Sequence, residues 1–164
     1  MSTTNLSAHD ISQLPDARSM RIGIVVSEWN AEITENLLRG ALETLTEAGC
    51  TLDYIRIVHV PGSYELPIGA QLLMNNHSVE AVICLGCVVR GETPHFDFVC
   101  SAVAQGVKDV SLKFNKPVIF GVLTDNTIDQ SRARAGGALG NKGVEAAVTA
   151  IKMVALQRNL EDSL

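Results

Sequence analysis

The clearest indication of the fold is the segment Ala81-Val-Ile-Cys-Leu-Gly-Cys-Val-Val89, with the turn Arg90-Gly-Glu-Thr-Pro94 and the stretch from His95 to about Phe114 that follow it. Its near-continuous apolar character is typical of a strand that is buried on both faces of a parallel sheet. The stretch after the turn begins directly behind a proline and predicts a long helix. Together the three predict one strand–turn–helix unit.

The same alternation of strand and helix continues on both sides of this unit. Three more strands are predicted at residues 21–27, 54–60 and 117–123. Further helices are predicted at residues 33–48, 66–74 and 144 to about 158, with a short one from N-cap residues 124–126 to about residue 135. Apolar strands that alternate with helices predict an α/β fold whose parallel sheet is covered on both faces. In such sheets, ligands bind beyond the carboxyl ends of the strands.

The composition indicates one domain with a small-molecule partner. The chain has 164 residues, a formal net charge of -5 and no run of basic residues, so no nucleic-acid partner is expected. Residues 1–19 are polar and predict an N-terminal arm that stays off the core unless a neighbour orders it, and residues 20–164 form the domain. The N-terminus lacks a signal-peptide pattern and no run of about 18 apolar residues occurs, so a cytoplasmic protein without a membrane partner is expected.

Cys84 and Cys87 have the spacing of a redox dithiol, but they fall inside a predicted strand. Residues three apart on a strand point to opposite faces, whereas a redox pair needs both thiols at a helix N-terminus. Reduced, buried structural cysteines are therefore the favoured interpretation. No metal site is predicted, because the 4 histidines are not spaced as metal ligands.

Two features that follow the third strand are able to carry chemistry. Gly91-Glu92-Thr93 leads into a helix whose first N–H groups and positive dipole end suit a phosphate, but taken alone the segment is more typical of an ordinary strand-to-helix turn capped by Thr93. His95, at the start of that helix, is suited to moving protons near neutral pH, and the alternative is a packed or solvated bystander.

Cations and aromatic residues supply the other candidates. Arg134 and Lys142 flank a glycine-rich stretch that lacks a nucleotide-loop pattern, and they either meet a phosphate or are solvated charges at helix ends. A planar heterocycle would stack on Trp29 or Phe120, with Glu65 binding its edge. The alternative is that these are ordinary loop and core side chains.

Five segments resemble the lumazine synthase family, in the order in which that family has them. They are Ser27-Glu-Trp-Asn30, Val60-Pro-Gly-Ser-Tyr-Glu-Leu-Pro67, Leu85-Gly-Cys-Val-Val-Arg-Gly-Glu-Thr-Pro-His-Phe-Asp-Phe-Val-Cys100, Val118-Ile-Phe-Gly121 and the stretch from Arg134-Ala-Gly to Gly-Asn-Lys-Gly143. The resemblance covers residues 21 to about 158, and the long segment around His95 is highly specific. Trp29 and Tyr64 stand where family members often have phenylalanine, so an aromatic face is kept at both positions.

The resemblance implies a flavodoxin-like three-layer α/β/α sandwich with a four-stranded parallel sheet, and an enzyme without a cofactor or a metal. The implied reaction condenses 5-amino-6-(D-ribitylamino)uracil with 3,4-dihydroxy-2-butanone 4-phosphate to 6,7-dimethyl-8-ribityllumazine, phosphate and water, the penultimate step of riboflavin biosynthesis. The implied pyrimidine- and ribityl-binding residues are Trp29, Ser63, Tyr64, Glu65, Cys87, Val88, Val89 and Phe120. The implied phosphate-binding residues are Glu92, Thr93 and Arg134, and the implied proton carrier is His95.

The resemblance also implies a homopentamer in which neighbouring subunits share each site. It allows a 60-subunit icosahedral shell, since the stretch 135–143 is short, and it allows riboflavin synthase as a partner. Two alternatives stay open: a non-catalytic lumazine or flavin binder on the same scaffold, and the archaeal riboflavin synthase, whose related fold acts on a substrate without a phosphate. His95 and Arg134 together argue against the non-catalytic binder. Gly91-Glu92-Thr93 and Arg134 argue against the archaeal riboflavin synthase, because they suit a substrate with a phosphate.

Overall fold

The computed structural model describes residue 5 and residues 7–163, and it contains a four-stranded sheet whose pairings are all parallel. The strands of this sheet are β1 (Ile22–Ser27), β2 (Ile55–Val60), β3 (Ala81–Val89) and β4 (Val118–Asp125). The helices are α1 (Ala31–Glu47), α2 (Leu66–Asn76), α3 (His95–Phe114), α4 (Ile128–Arg134) and α5 (Lys142–Asp162). The spatial order is β2-β1-β3-β4, so the predicted flavodoxin-like three-layer sandwich is confirmed.

Two hydrophobic clusters cover the two faces of the sheet. Along β3, Ile83 and Leu85 belong to the cluster that contains α1 and α5 side chains, whereas Val82 and Cys84 belong to the cluster with α2 and α3. This alternation explains why the strand is apolar throughout, because both of its faces are buried. The order of strands reverses between β1 and β3, and a crevice is expected at their carboxyl ends.

Helices α1 and α5 cross at two glycines. A Cβ atom on Gly143 would overlap the carbonyl oxygen of Leu37, and one on Gly40 would lie 2.6 Å from the Asn141 side chain. Asn141 caps α5 by accepting the Gly143 N–H at 2.8 Å, and its amide donates to the Asn36 carbonyl at 3.0 Å. The glycines therefore let the two helix backbones approach closely enough for the cap residue of α5 to contact a carbonyl of α1.

Several predicted element bounds differ from the structure. Thr124 and Asp125 are not N-cap residues of the short helix, because they pair with Val88 and Val89 at the end of β4. The cap of α4 is Thr127, whose hydroxyl accepts the Gln130 N–H. The glycine-rich turn is a small antiparallel hairpin formed by β5 (Ala135–Gly137) and β6 (Gly140–Asn141). Helix α5 starts two residues earlier and ends four residues later than predicted, at Lys142 and Asp162.

The segment predicted as an N-terminal arm partly packs on its own chain. Ala17 is fully buried in the core, and its N–H donates to the Ala48 carbonyl at 3.1 Å. Ser7 donates from its hydroxyl to the Asn141 carbonyl at 2.9 Å. This differs from an arm that needs a neighbour, because a small apolar side chain at position 17 fits against the end of α1. Residues 1–4 and 6 lie outside the described residues, and the domain division at residue 20 stays a prediction.

Candidate active site

A cleft of about 540 Å³ lies at the carboxyl ends of β1, β2 and β3, where α3 begins. The predicted site residues that line it are Trp29, Ser63, Tyr64, Glu65, Cys87, Val88, Val89 and His95. The lining also includes Asn30, Phe98 and Val99, which the sequence did not single out as binding residues. The cleft thus lies where the strand order reverses, the usual ligand position in such folds.

Trp29 presents its indole to this cleft, and 68% of the residue is exposed. Gly62 lies against the ring, since a Cβ atom there would be 2.5 Å from the indole Cε3. The backbone N–H of Trp29 donates to the Pro61 carbonyl at 3.0 Å. Asn30 has a left-handed backbone, φ 60°, and donates from its amide to the Cys87 carbonyl at 3.0 Å. Gly62 therefore packs against the indole, the two hydrogen bonds fix the backbone that carries it, and the exposed part of the ring is open to a flat ligand.

Ser63 and Glu65 come from a 3-10 turn between β2 and α2. One carboxylate oxygen of Glu65 accepts the Gly62 N–H at 3.0 Å, which fixes the orientation of the carboxylate. The Ser63 hydroxyl is buried against Gly86 and has no hydrogen-bond partner among the described residues. An unpaired buried hydroxyl costs about 1–3 kcal/mol, and this one belongs to a residue that lines the cleft.

A buried polar chain lies behind β3 and begins at the cleft residue Cys87. The Cys87 thiol donates to the Ser131 hydroxyl at 3.4 Å, and that hydroxyl donates to an Asp125 carboxylate oxygen at 2.7 Å. Burial raises the pKa of the Cys87 thiol, and the nearby Asp125 charge adds to this effect while the Ser131 hydrogen bond opposes it. The thiol therefore stays protonated at neutral pH and contributes a surface rather than a nucleophile.

The interpretation of Cys84 and Cys87 as structural cysteines is confirmed. The two thiols lie in the clusters on opposite faces of the sheet, and both are buried and free. Burial raises the pKa of Cys84 to about 12. In the part of the chain that the structure describes, no group of three His, Cys, Asp or Glu side chains is arranged to hold a metal ion.

His95 is the first residue of α3, and its exposed side chain lines the cleft. Glu92 and Thr93 precede it in an exposed loop and do not line the cleft themselves. Pro94 is the N-cap and makes no side-chain hydrogen bond, so Thr93 does not cap the helix. The first helical hydrogen bond runs from the Asp97 N–H to the Pro94 carbonyl, which leaves the preceding amides available to an anion.

Phe120 and Arg134 lie outside this cleft within one chain. Phe120 is in β4, at the edge of the sheet, where it lines a groove of about 280 Å³ with Lys142 and Glu145. Arg134 contacts Glu145 at 3.4 Å, and Lys142 contacts the same carboxylate at 2.9 Å. These four residues form a second group, the edge cluster, with one aromatic side chain, two cations and one carboxylate.

The fold and the cleft define the class of protein. A doubly wound parallel sheet carries an aromatic and polar cleft at its strand ends, with a histidine and free helix amides at one side. This is an α/β protein whose strand-end cleft has the form of a small-molecule site, beside helix amides of the kind that can hold an anion.

Comparison with known proteins identifies the family. The family described as 6,7-dimethyl-8-ribityllumazine synthase matches residues 19–158. A protein of that name from Parabacteroides distasonis is 57% identical over 150 residues, which cover 92% of this chain and 94% of the relative. Its namesake from Porphyromonas gingivalis is 52% identical over 94% of this chain and 96% of its own length, and the one from Cytophaga hutchinsonii is 55% identical over 92% and 94%. The chain belongs to the 6,7-dimethyl-8-ribityllumazine synthase family, which confirms the resemblance.

Proposed function

We propose that this chain condenses 5-amino-6-(D-ribitylamino)uracil with 3,4-dihydroxy-2-butanone 4-phosphate to 6,7-dimethyl-8-ribityllumazine, phosphate and water, in riboflavin biosynthesis. The observation that carries the proposal is the composition of one cleft. It combines the open indole of Trp29, the unpaired hydroxyl of Ser63 and the imidazole of His95 beside the first amides of α3. The family to which the chain belongs supports the same activity.

The steps of the proposed reaction can be assigned to these groups, and none of the steps needs an electron carrier. The amine of the pyrimidine attacks the ketone and loses water to give an imine, a proton leaves as phosphate departs, and the ribitylamino nitrogen closes the ring on the remaining carbonyl with loss of a second water. Trp29 would stack on the pyrimidine, while Ser63 and Glu65 would bind its polar edge and side chain. His95 would move the protons, because it lies between the pyrimidine platform and the amides that would hold the phosphate.

The anion end of the site would depend on backbone groups and on a cation. The Glu92 carboxylate repels a phosphate, so its contribution would come from its backbone, next to Thr93 and the free amides of α3. A phosphate that leaves as a dianion also needs a compensating positive charge. Arg134 is the predicted source of that charge, yet it lies in the edge cluster.

This separation supports a site that two subunits share. The edge cluster lies beside β4, the strand at one edge of the sheet, and it combines the Phe120 ring with cationic side chains of a kind that the lining of the cleft lacks. A neighbour's edge cluster placed against the cleft would add Phe120 to the aromatic platform and Arg134 to the phosphate. The proposed assembly is a cytoplasmic homopentamer that closes into an icosahedral shell, and riboflavin synthase is the proposed guest of its inner space.

The direct test of activity mixes the purified chain with both substrates. Formation of the lumazine together with one released phosphate per turnover is the expected result. A purified, folded chain that forms neither product would contradict the proposed function. A chain that binds the lumazine product without forming it would instead support the non-catalytic binder.

The assembly predicts the mass of the native protein. We expect sedimentation to give a pentamer or a multiple of it, because apolar side chains on α3 such as Phe98 and Leu112 are 73% and 71% exposed in one chain and need cover. Ile68 and Leu72 on α2 are also exposed. A fully active monomer would rule out the shared site, whereas a stable single pentamer would remove only the shell.

Among the described residues, no helix combines the length and apolar character that crossing a membrane requires.

Replacing Arg134 with alanine tests the cation of the edge cluster. We expect the KM for the butanone phosphate to rise roughly 10- to 150-fold, because a hydrogen bond to a charged group contributes about 1.5–3 kcal/mol. The KM for the pyrimidine should change far less, and inorganic phosphate should inhibit more weakly. The fold should tolerate the change, since Glu145 keeps its contact with Lys142.

Arg132→Ala is the matched control for this variant. Arg132 lies on the same helix and pairs with Glu32 and Asp129, outside both the cleft and the edge cluster. It should leave both KM values near those of the wild type. Equal effects of Arg134→Ala on the two substrates would argue against a phosphate role for that residue.

A further inference from the structure

The loop 91–94, which precedes His95, is held only from its two ends. All four residues are exposed, and a Cβ atom on Gly91 would meet nothing within 4 Å. No side chain of the loop makes a hydrogen bond to any other described residue. The position of the loop, and with it the spacing between β3 and the first amides of α3, must therefore be set by the residues that flank it.

Arg90 is the flanking residue that joins both ends. Its N–H donates to the Asp125 carbonyl at 2.9 Å, and its Nε donates to the Asn126 side chain at 3.1 Å, on the sheet side of the loop. On the helix side, its two Nη atoms donate to the Asp97 carboxylate at 3.2 and 2.9 Å. Its guanidinium carbon also lies 4.2 Å from the centre of the Phe96 ring.

These contacts place one planar group across the mouth of the loop. Phe96 and Asp97 directly follow His95, so the orientation of the imidazole and of the first α3 amides depends on where the guanidinium holds them. The Asp97 hydrogen bonds raise the pKa of Arg90, which keeps its charge. Lysine would keep the charge but lose both the forked geometry and the stacking on the ring.

We infer that Arg90 is a positioning residue that sets the geometry of the phosphate loop and of His95, through its fork to Asp97 and its stacking on Phe96. The inference rests on the proposed function, since it concerns the phosphate end of that site. The Arg90–Asp97 pair is exposed, with 43% and 58% of the side chains accessible. Such pairs add little to the stability of a fold, whereas misplacing reacting groups by about 1 Å costs roughly 100-fold in rate.

The test is a set of steady-state measurements on Arg90→Lys, Asp97→Asn and the double variant. We expect both single variants to raise the KM for the butanone phosphate, to raise the inhibition constant of inorganic phosphate and to lower kcat. The resulting kcat/KM for the butanone phosphate should fall roughly 10- to 100-fold. The KM for the pyrimidine and the melting temperature should stay near wild type. The double variant should be no worse than either single one, because both break the same clamp.

Arg18→Lys is the matched control, because Arg18 forms a comparable exposed fork with Asp16 on the N-terminal segment. It should leave all kinetic constants unchanged. A wild-type chain without synthase activity would overturn the proposed function and this inference with it. An active wild type whose Arg90→Lys and Asp97→Asn variants change both KM values equally, or change neither, would overturn the inference alone. The inference would also be overturned if the activity of the variants fell only in proportion to the amount of folded protein.

Discussion

Replacing His95 with alanine is expected to lower kcat by roughly 100- to 10,000-fold, the usual effect of losing a positioned acid–base group. The side chain is exposed at the first position of α3 and makes no hydrogen bond within the described part of the chain, so its removal leaves no packing defect. Residual turnover should persist, because the cleft still holds the two substrates next to each other.

The measurement is single-turnover and steady-state lumazine formation at saturating concentrations of both substrates. His59→Ala serves as the control, since His59 is an exposed histidine whose ring contacts Glu35 at 2.9 Å rather than the cleft. It should keep wild-type kcat. Near-wild-type turnover in the His95 variant would sink the assignment of the proton carrier, and an unfolded variant would show that His95 has a structural role that the contacts do not reveal.

The largest effect on stability is expected at the crossing of α1 and α5. Gly143→Ala places a methyl group onto the carbonyl oxygen of Leu37, which is backbone and has no rotamer to escape into. The helices must separate, and the contacts of Asn141 with Gly143 and Asn36 are strained at the same time. Overpacking of this kind costs about 1–3 kcal/mol, and occasionally more where the backbone itself must move.

Urea unfolding at one fixed protein concentration measures this cost, because assembly makes the apparent stability depend on concentration. Gly91→Ala is the matched control, since a methyl group at that position meets open space. The control should change the free energy of unfolding by less than about 0.5 kcal/mol. Equal stability of the two variants would mean that the helices at this crossing adapt more freely than their packing indicates.

The sequence predicted β3 and α3 with the bounds that the structure has, Ala81–Val89 and His95–Phe114. A strand buried on both faces leaves a continuous apolar run, and a proline marks the start of a helix, so both signals are local. The end of β4 was missed for the opposite reason. Asp125 is polar but buried, and the Ser131 hydroxyl that satisfies it comes from the next helix, which a local pattern does not reveal.

The candidate site was predictable where chemistry and position coincide, as at Trp29 and His95. The sequence did not assign roles to Asn30 and Arg90, because their roles depend on the contacts that their side chains make in the folded chain. Asn30 contacts the Cys87 carbonyl from a left-handed backbone, and Arg90 spans a loop to Asp97. Both contacts depend on the completed fold, and neither residue type indicates them in advance.

The open indole of Trp29 has a practical consequence. It is the only tryptophan of the chain, so light absorbed selectively by indole is re-emitted from the rim of the cleft and from nowhere else. Because 68% of the residue is exposed in one chain, its emission should respond to whatever covers the ring. A flat heterocycle stacked on the ring would exclude water and quench that emission, whereas phosphate alone would not reach it. The unlabelled chain therefore carries its own optical reporter of which half of the site is occupied.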